Sequence, residues 1–426
     1  MTPDQHLRSD EVVVFGLGYV GLPLVRACVL NGLRVVGFDP NRDVVELLAA
    51  GRSHIDDIPN EEISRCLALG LRVTSSQEDI PNAGTFVICV PTPLSESGGP
   101  DLAAVRNAAK TIVTKLRRGS LVVLESTSYP GTTEEILLPL LESSGLEAGV
   151  DFNLAFSPER VDPGNLRYTL ETTPKVVGGL SAACLARATA FYELLVSKVV
   201  PTKGLKEAEM AKLLENTYRH VNIALVNELA RLCHSLDVDV WDVIEAAETK
   251  PYGFQAFRPG PGVGGHCIPI DPNYLSHRVK VQLGEPFRFV ELAQEINASM
   301  PHYVVQRVQK LLNRDRKALN GSRILLLGVT YKKDIADTRE SPAYEVARDL
   351  LNLGAQLTFH DPLVSTWIVD GTAIEPVRDW RTACQSVDCV LLLQDHTEYV
   401  SNVHVLKTSP VLDTRGIKGL RPVERL

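Results

Sequence analysis

A chain of 426 residues, 44% hydrophobic and 23% charged, has room for two to four domains of about 150 residues, with cores that need no disulfide staples. Lys and Arg number 44 against 52 Asp and Glu, a formal charge of −8; this excludes a broad surface for nucleic acid or anionic membrane but allows a small local anion site. No window of about 18 uncharged apolar residues points to a membrane helix, and the opening MTPDQHLRSDE lacks a hydrophobic signal core. The eight cysteines (28, 66, 89, 184, 233, 267, 384 and 389) include no CxxC pair. The expectation is a reduced, cytoplasmic protein with neither a disulfide framework nor a metal site.

Taken in chain order, short apolar runs at 12–15, 34–38, 86–90, 121–124, 153–156, 175–177 and 198–200 read as strands. Helical periodicity lies between them, for example at 102–116 and 132–141. Such alternation predicts a parallel, doubly wound sheet. The first run leads into GLGYVGLP, which sets Gly16, Gly18 and Gly21 in a G-x-G-x-x-G array. The first glycine permits a tight turn, the second lets backbone approach a pyrophosphate, and the third lets helix pack on strand. Asp39 ends the next strand, where a carboxylate can bind a ribose 2′-hydroxyl and would repel a 2′-phosphate. NAD is therefore expected rather than NADP, with Arg42 standing close by.

The pattern changes near residue 205. LKEAEMAKLLENTYRHVNIALVNELARLCHSL runs to 236 without Gly or Pro and predicts one long helix. Its apolar stripe is read as Met210, Leu213, Leu214, Thr217, Val221, Leu225, Leu229 and Leu232. A second apolar set, Ile223, Val226 and Ala230, widens it beyond one face. Lys212 and Asn216, four apart, share a face where they could donate hydrogen bonds to an oxyanion; a solvated helix face is the alternative. Short helical pieces should follow, then the Gly/Pro-rich segment RPGPGVGGHCIPIDP at 258–272. There Cys267 follows Gly262, Gly264 and Gly265, glycines that would let a ligand approach sulfur, and Asp271 lies four residues on. On spacing alone, Cys267 could equally be a small residue in a turn, and His266 is read as structural. A third block from about residue 300, with strands at 323–327, 357–360 and 389–393 and a helix at 344–351, reads as a second α/β domain.

The stretches GLGYVGLP, VPTP, ESTSYPGTT, FSPERVDPGN, EMAKLLENTYR, GPGVGGHCIPIDP and GVTYKKDIADTRESP stand in one order along nearly the whole chain. Together they resemble the UDP-glucose/UDP-N-acetylhexosamine family of nucleotide-sugar 6-dehydrogenases. The resemblance implies two Rossmann-like domains joined by a central helical domain. The expected divisions are 1–203 for NAD, 204–299 for the Cys loop and dimerisation, and 300–426 for the nucleotide sugar. It implies that Cys267 is a nucleophile holding the substrate carbon first as a thiohemiacetal, then as a thioester. Lys212 and Asn216 would stabilise the oxyanion, Glu159 and Thr127 would handle water and proton, and Asp271 would be the acid after the Cys loop. Tyr19, Val20, Thr92, Thr127 and Arg339 would join the glycine loop, Asp39 and Arg42 around the cofactor. Glu159, Arg160, Lys212, Asn216, Arg219, Phe257, Arg258, Gly264, Lys332 and Arg415 would line the substrate.

The residues suit that chemistry. Turning a primary alcohol into an acid takes two successive hydride transfers, with the carbonyl trapped between them. That needs a nucleophile, oxyanion donors and a base for water. GVTYKKD lacks the full glycine array, so a second dinucleotide is not expected; Lys332 and Lys333 offer cations for a diphosphate instead. SPERVDPGN, with Arg160 after Glu159, and GHCIPIDP resemble the N-acetylhexosamine branch, from which Arg258 departs. UDP-glucose or a dTDP-hexose, serving polysaccharide or secondary-metabolite sugars, is the alternative. Two other classes are weighed. A single-hydride β-hydroxyacid dehydrogenase would need neither the Cys loop nor a third block. A nucleotide-binding regulator would not need Cys267, Lys212, Asn216 and Glu159 intact. The double-sided apolar helix predicts a homodimer through the central region, or a higher oligomer built on it; the alternative is that short helices at 239–298 cover it within one chain.

Overall fold

A computed structural model of the chain describes residues 10–55, 58–95, 99–161, 165, 167–265, 268–407, 410–420 and 424–426. His266 and Cys267 lie outside the described residues. Runs rich in Val, Leu, Ile and Phe form the central strands of the first sheet, because strands covered on both faces have no solvent side to keep polar. These are β1 (Glu11–Phe15), β2 (Arg34–Phe38), β3 (Arg72–Thr74), β4 (Thr85–Ile88), β5 (Leu121–Leu124), β6 (Asn153–Phe156), β7 (Lys175–Gly179) and β8 (Val199–Pro201). Their order is β3-β2-β1-β4-β5-β6-β7-β8, which reverses direction between β1 and β4. Val12, Val14 and Val35 enter one core, and Val13, Phe15, Val36 and Phe38 enter the other, so alternate residues fill opposite faces.

The sheet differs from the expected all-parallel one at β7, which pairs antiparallel with β6 through Ala155↔Gly179 and Phe156↔Gly178. A parallel return needs a crossover, usually a helix, and the described residues between β6 and β7 form none. The helix expected at 102–116 spans Ala103–Val113. The one expected at 132–141 opens as a wide π turn, Thr133–Leu137, before the α-helix Leu138–Glu142.

This sheet belongs to a unit made of Met1–Glu215 with Asn273–Gln282; a second unit comprises Asn216–Pro272 with Leu283–Leu426. The second unit holds β9 (Arg323–Leu327), β10 (Gln356–His360), β11 (Trp367–Val369), β12 (Thr372–Pro376), β13 (Cys389–Leu392), β14 (Val411–Asp413) and β15 (Glu424–Arg425). The order is β11-β12-β10-β9-β13-β14-β15, with β11 antiparallel to β12. The fold is thus two α/β sheets and a helical region that includes the long helix Leu205–Ser235.

Two helical expectations are corrected. The region before residue 300 holds more than short pieces: the helix Arg288–Arg314 runs through it with Pro301 inside. The proline removes one helical hydrogen bond, but Met300, Val304, Val305 and Val308 beside it are buried in an apolar core. On the long helix, the expected stripe splits between two faces. Leu213 and Thr217 are buried, whereas Met210, Leu214, Leu225 and Leu232 are exposed, Leu214 by 64%. The buried face carries Glu209, Lys212, Asn216, His220 and Asn227.

His220 is buried beside Asn297, whose Nδ2 lies 3.5 Å from His220 Nδ1; its Nε2 has no partner among the described residues. Burial pushes the imidazole pKa down to about 4. The folded state therefore keeps His220 neutral while the unfolded chain protonates near pH 6.5. Stability contributed by His220 is full above pH 6.5 and is lost as pH falls towards 4, about 2 kcal/mol between pH 7 and pH 5. Urea unfolding at those two pH values should show this loss, and His220→Gln should reduce it; an equal loss in the variant would contradict the assignment.

Candidate active site

In a parallel sheet, ligands gather beyond the carboxyl ends of the strands at the point where strand order reverses. That point lies between β1 and β4. Gly16 follows β1 with φ +89°, and a Cβ there would lie 2.6 Å from the Cys89 carbonyl oxygen. A Cβ on Gly21 would lie 1.8 Å from the Gly16 carbonyl oxygen, so only glycine lets the first helix, Gly21–Leu30, start against the strand. Gly18 differs: a Cβ there would meet nothing within 4 Å. Its backbone borders open space of the kind a pyrophosphate fills. The first helical turn has no acidic residue and no side-chain cap, leaving its N–H groups and positive dipole end for phosphate. Tyr19 and Val20 complete the turn, half-buried.

Asp39 follows β2. Its Oδ2 accepts from Leu17 N–H at 2.9 Å and its Oδ1 from Asn41 N–H at 2.9 Å. The carboxylate is thereby fixed beside the glycine loop, with lone pairs left for a ribose hydroxyl. Arg42 is exposed on the first turn of the next helix. Beyond β4 and β5, Thr92 Oγ1 donates to the Thr127 carbonyl at 2.8 Å, and Tyr274 donates its hydroxyl to the Thr92 carbonyl. The structure thus brings these two predicted threonines together.

Glu159 lies beyond β6. Its Oε1 accepts from Arg160 N–H at 2.7 Å and Val161 N–H at 2.5 Å, and its carbonyl accepts from Lys212 Nζ at 2.5 Å. Lys212 is placed by the turn before it. Buried Glu209 accepts from Gly131 N–H, Thr133 N–H and the Thr133 hydroxyl, pinning the start of the long helix to the segment after β5. Arg160 donates from Nη1 to the Pro174 carbonyl at 2.6 Å and pairs through Nη2 with Glu215 at 2.7 Å.

Three residues here escaped the sequence reading. Lys175 Nζ lies 2.9 Å from Glu125 Oε2 and 3.7 Å from Glu159 Oε2, and the Tyr192 hydroxyl donates to Glu125 Oε1. The available signal was a lysine opening an otherwise apolar strand, KVVGG, and a glutamate directly after LVVL.

In the second unit, Asn216 Nδ2 donates to Asp271 Oδ2 at 2.5 Å, and both side chains are buried. The glycine loop before Cys267 is packed closely: a Cβ on Gly264 would lie 2.7 Å from both the Glu340 carbonyl oxygen and Tyr331 Cβ. Gly264 therefore serves the approach of the loop to the GVTYKKD segment. Asn227 Oδ1 accepts from Gly260 N–H at 2.9 Å and holds the loop's other end. Half-buried Lys332 follows Tyr331 directly. Arg415 Nε donates to the Leu393 carbonyl at 2.7 Å, and a Cβ on Gly260 would lie 3.0 Å from Arg415 Nη1. The other predicted residues have partners of their own or are exposed. Phe257 packs edge-on against Tyr218 at 5.8 Å, Arg258 is exposed and pairs with Glu248 at 2.8 Å, and Arg219 is exposed. Arg339 is exposed and pairs with Asp337 at 2.7 Å.

Residues 10–196 match the NAD binding domain of the UDP-glucose/GDP-mannose dehydrogenase family, residues 206–299 its central domain, and residues 325–419 its UDP binding domain. The chain belongs to that family. It is accordingly an NAD-dependent oxidoreductase acting on a nucleotide sugar. A UDP-N-acetyl-D-mannosamine dehydrogenase of Pyrococcus horikoshii is 36% identical over 395 residues, 92% of this chain and 90% of that protein. A UDP-N-acetyl-D-glucosamine 6-dehydrogenase of Pseudomonas aeruginosa is 37% identical over 362 residues, 84% of each chain. The solved structure of a UDP-D-ManNAc dehydrogenase from P. horikoshii superposes with a TM-score of 0.88 at 34% identity, covering 97% of this chain and 98% of that one. No helix among the described residues is long and apolar enough to cross a membrane.

Asp39→Ala should weaken NAD binding by about 1–3 kcal/mol, the scale of a lost charge-assisted hydrogen bond, and should relax discrimination against NADP because a repulsive charge is gone. Titration of both cofactors checks this; unchanged affinity for the two would make Asp39 only a strand end.

Proposed function

We propose that this enzyme oxidises the C6 primary alcohol of a UDP-N-acetylhexosamine to the uronic acid in two steps, through a thioester on Cys267. Full-length likeness to dehydrogenases of UDP-N-acetylhexosamines supports the sugar class. The observation that carries the chemistry is the fastening of Lys212 to the Glu159 loop, beyond the carboxyl end of β6 in the unit that holds the glycine loop. On this reading residues 1–203 bind NAD, 204–299 carry the Cys loop and the dimer helix, and 300–426 take the nucleotide through Lys332 and Arg415.

Bound NAD supplies the hydride acceptor for each oxidation. The chain's own groups do the rest. Lys212 and Asn216 donate to the substrate oxygen as negative charge builds on it; the Asp271 carboxylate orients the Asn216 amide. The Cys267 thiolate adds to the aldehyde carbon, forming a C–S bond and a tetrahedral thiohemiacetal, and loss of the second hydride leaves a thioester. Glu159, aided by Thr127, takes a proton from water. The hydroxide adds to the thioester carbon, the C–S bond breaks, and the thiolate is regenerated. One alcohol, one water and two NAD give one carboxylate, two NADH and three protons.

A screen of UDP-, dTDP- and GDP-hexoses, read by NADH formation, should give fastest turnover with a UDP-N-acetylhexosamine and two NADH per sugar. One NADH per sugar, or a preference for UDP-glucose or a dTDP-hexose, would overturn the corresponding part. Cys267→Ser should abolish acid formation while NAD still binds, because serine is the poorer nucleophile and leaving group. Glu159→Gln should slow hydrolysis and leave a thioester adduct visible by intact mass.

The exposed apolar face of the long helix, Met210, Leu214, Tyr218, Leu225 and Leu232, is proposed to pair with the same face of a second copy. Light scattering at micromolar concentration should give twice the chain mass or a multiple of it, and Leu225→Glu should shift the protein towards monomer. A fully active wild-type monomer would sink the dimer.

A further inference from the structure

Lys175 opens β7, a strand that otherwise reads Val-Val-Gly-Gly, and its side chain is 3% exposed. A buried ion pair is a poor way to stabilise a core, since apolar replacements are often neutral or better. Here one ammonium faces two carboxylates, Glu125 Oε2 at 2.9 Å and Glu159 Oε2 at 3.7 Å. Burial pulls the Lys175 ammonium towards losing its proton, but Glu125 and Glu159 outweigh it and hold its pKa above that of an ordinary lysine. Glu125 is fixed from its far side by the Tyr192 hydroxyl, and the Tyr192 ring centre lies 5.2 Å from Lys175 Nζ. Cys89, beyond β4, also interacts with Lys175, Glu125 and Glu159; burial pushes its thiol well up, so it adds no charge. On the other side of Glu159, Oε1 is taken by the N–H groups of Arg160 and Val161, and the Lys212 ammonium sits on its backbone carbonyl.

The two oxygens of Glu159 are therefore unlike. Oε1 is bound to backbone, and Oε2 faces Lys175. We propose that Lys175, anchored by Glu125 and Tyr192, is a positioning residue that aims Glu159 Oε2 and sets the electrostatic environment in which that carboxylate takes a proton from the hydrolytic water. This rests on the reading of Glu159 given above. It deepens that reading by naming the charge behind the base.

The test uses the full-length enzyme with NAD and the UDP-N-acetylhexosamine that the screen selects. Lys175→Met, Lys175→Arg, Glu125→Gln and Glu159→Gln are compared by steady-state kinetics, by intact mass of the Cys267 adduct, and by the pH profile of kcat. Lys175→Met should lower kcat at least about tenfold with KM within about threefold, should accumulate the adduct, and should move the acid limb of the profile up by about one pH unit, because a positive charge beside the base is gone. Lys175→Arg should restore most of kcat. Glu125→Gln should move the acid limb down, because a negative charge is gone. A purely structural role would not move the two limbs in opposite directions. If Lys175→Met fails to fold, the downward shift in Glu125→Gln supports the proposal and an unmoved limb overturns it. If Glu159→Gln slows hydrolysis but folded Lys175→Met matches the parent, Lys175 alone is wrongly assigned. If Glu159→Gln leaves hydrolysis unchanged, the base is wrongly assigned and the Lys175 proposal falls with it.

Discussion

The close backbone approach at the end of β1 governs how the first unit can bind anything. Gly16 turns with positive φ, the next N–H, from Leu17, reaches Asp39, and the missing Cβ of Gly21 leaves room for the Gly16 carbonyl. Helix, strand and carboxylate are thereby fixed relative to an open backbone at Gly18. The second unit repeats the turn. Gly328 follows β9 with φ +79°, and Val329 N–H donates to Asp361 Oδ2 at 2.8 Å beyond β10. There the likeness stops. Asp361 also faces His396 Nε2 at 3.0 Å, with both side chains fully buried. Burial alone would raise this carboxyl, but His396 and the N–H groups of Leu363 and Val329 outweigh it and hold it below the usual carboxylate range. The carboxylate that meets a ribose in a dinucleotide fold is closed off here by a histidine. One backbone device therefore supports a dinucleotide site in the first unit but not a second dinucleotide site in the other, in keeping with Thr330 and Lys333 standing where a G-x-G-x-x-G array would have its second and third glycines.

What was legible in the sequence was whatever is local or fully apolar. The cores of β1, β2, β5, β6 and β9 are uninterrupted apolar runs, and the glycine loop and Asp39 declare themselves by spacing. The short strands β3, β11, β12, β14 and β15 carry too few apolar residues, or too much charge, to stand out. The antiparallel turn of β7 depends on what fails to form between β6 and β7, which no pattern within either strand reveals. Lys175 and Glu125 are 50 positions apart, and their pairing follows from the strand order β5-β6-β7 rather than from either local sequence. The candidate site was legible in its residues more than in its joins: Glu159 and Lys212 were both singled out, but not the bond between them.

The long helix shows why its pattern misled. Its polar residues Glu209, Lys212, Asn216, His220 and Asn227 recur at helical spacing and are buried, while Met210, Leu214, Tyr218, Leu225 and Leu232 are exposed. An amphipathic helix usually turns its apolar face to the core; this one buries Leu213, Ala224, Val226 and Ala230, the last two against Val240, Trp241 and Ile244, and leaves a second apolar set out. Burying polar groups is tolerable only if each is bonded. Glu209 has Gly131 and Thr133, Lys212 has the Glu159 carbonyl, Asn216 has Asp271, and Asn227 has Asn297 and Gly260. His220 is the member left with an unpartnered nitrogen among the described residues, and its burial holds it neutral. In the mechanism proposed above, Lys212 and Asn216 on this inward polar face are the donors to the substrate oxygen. These exposed residues are the ones the proposed dimer would cover: the same rotation of the helix about its axis that turns Lys212 to the Glu159 loop leaves Leu214 and Leu225 exposed.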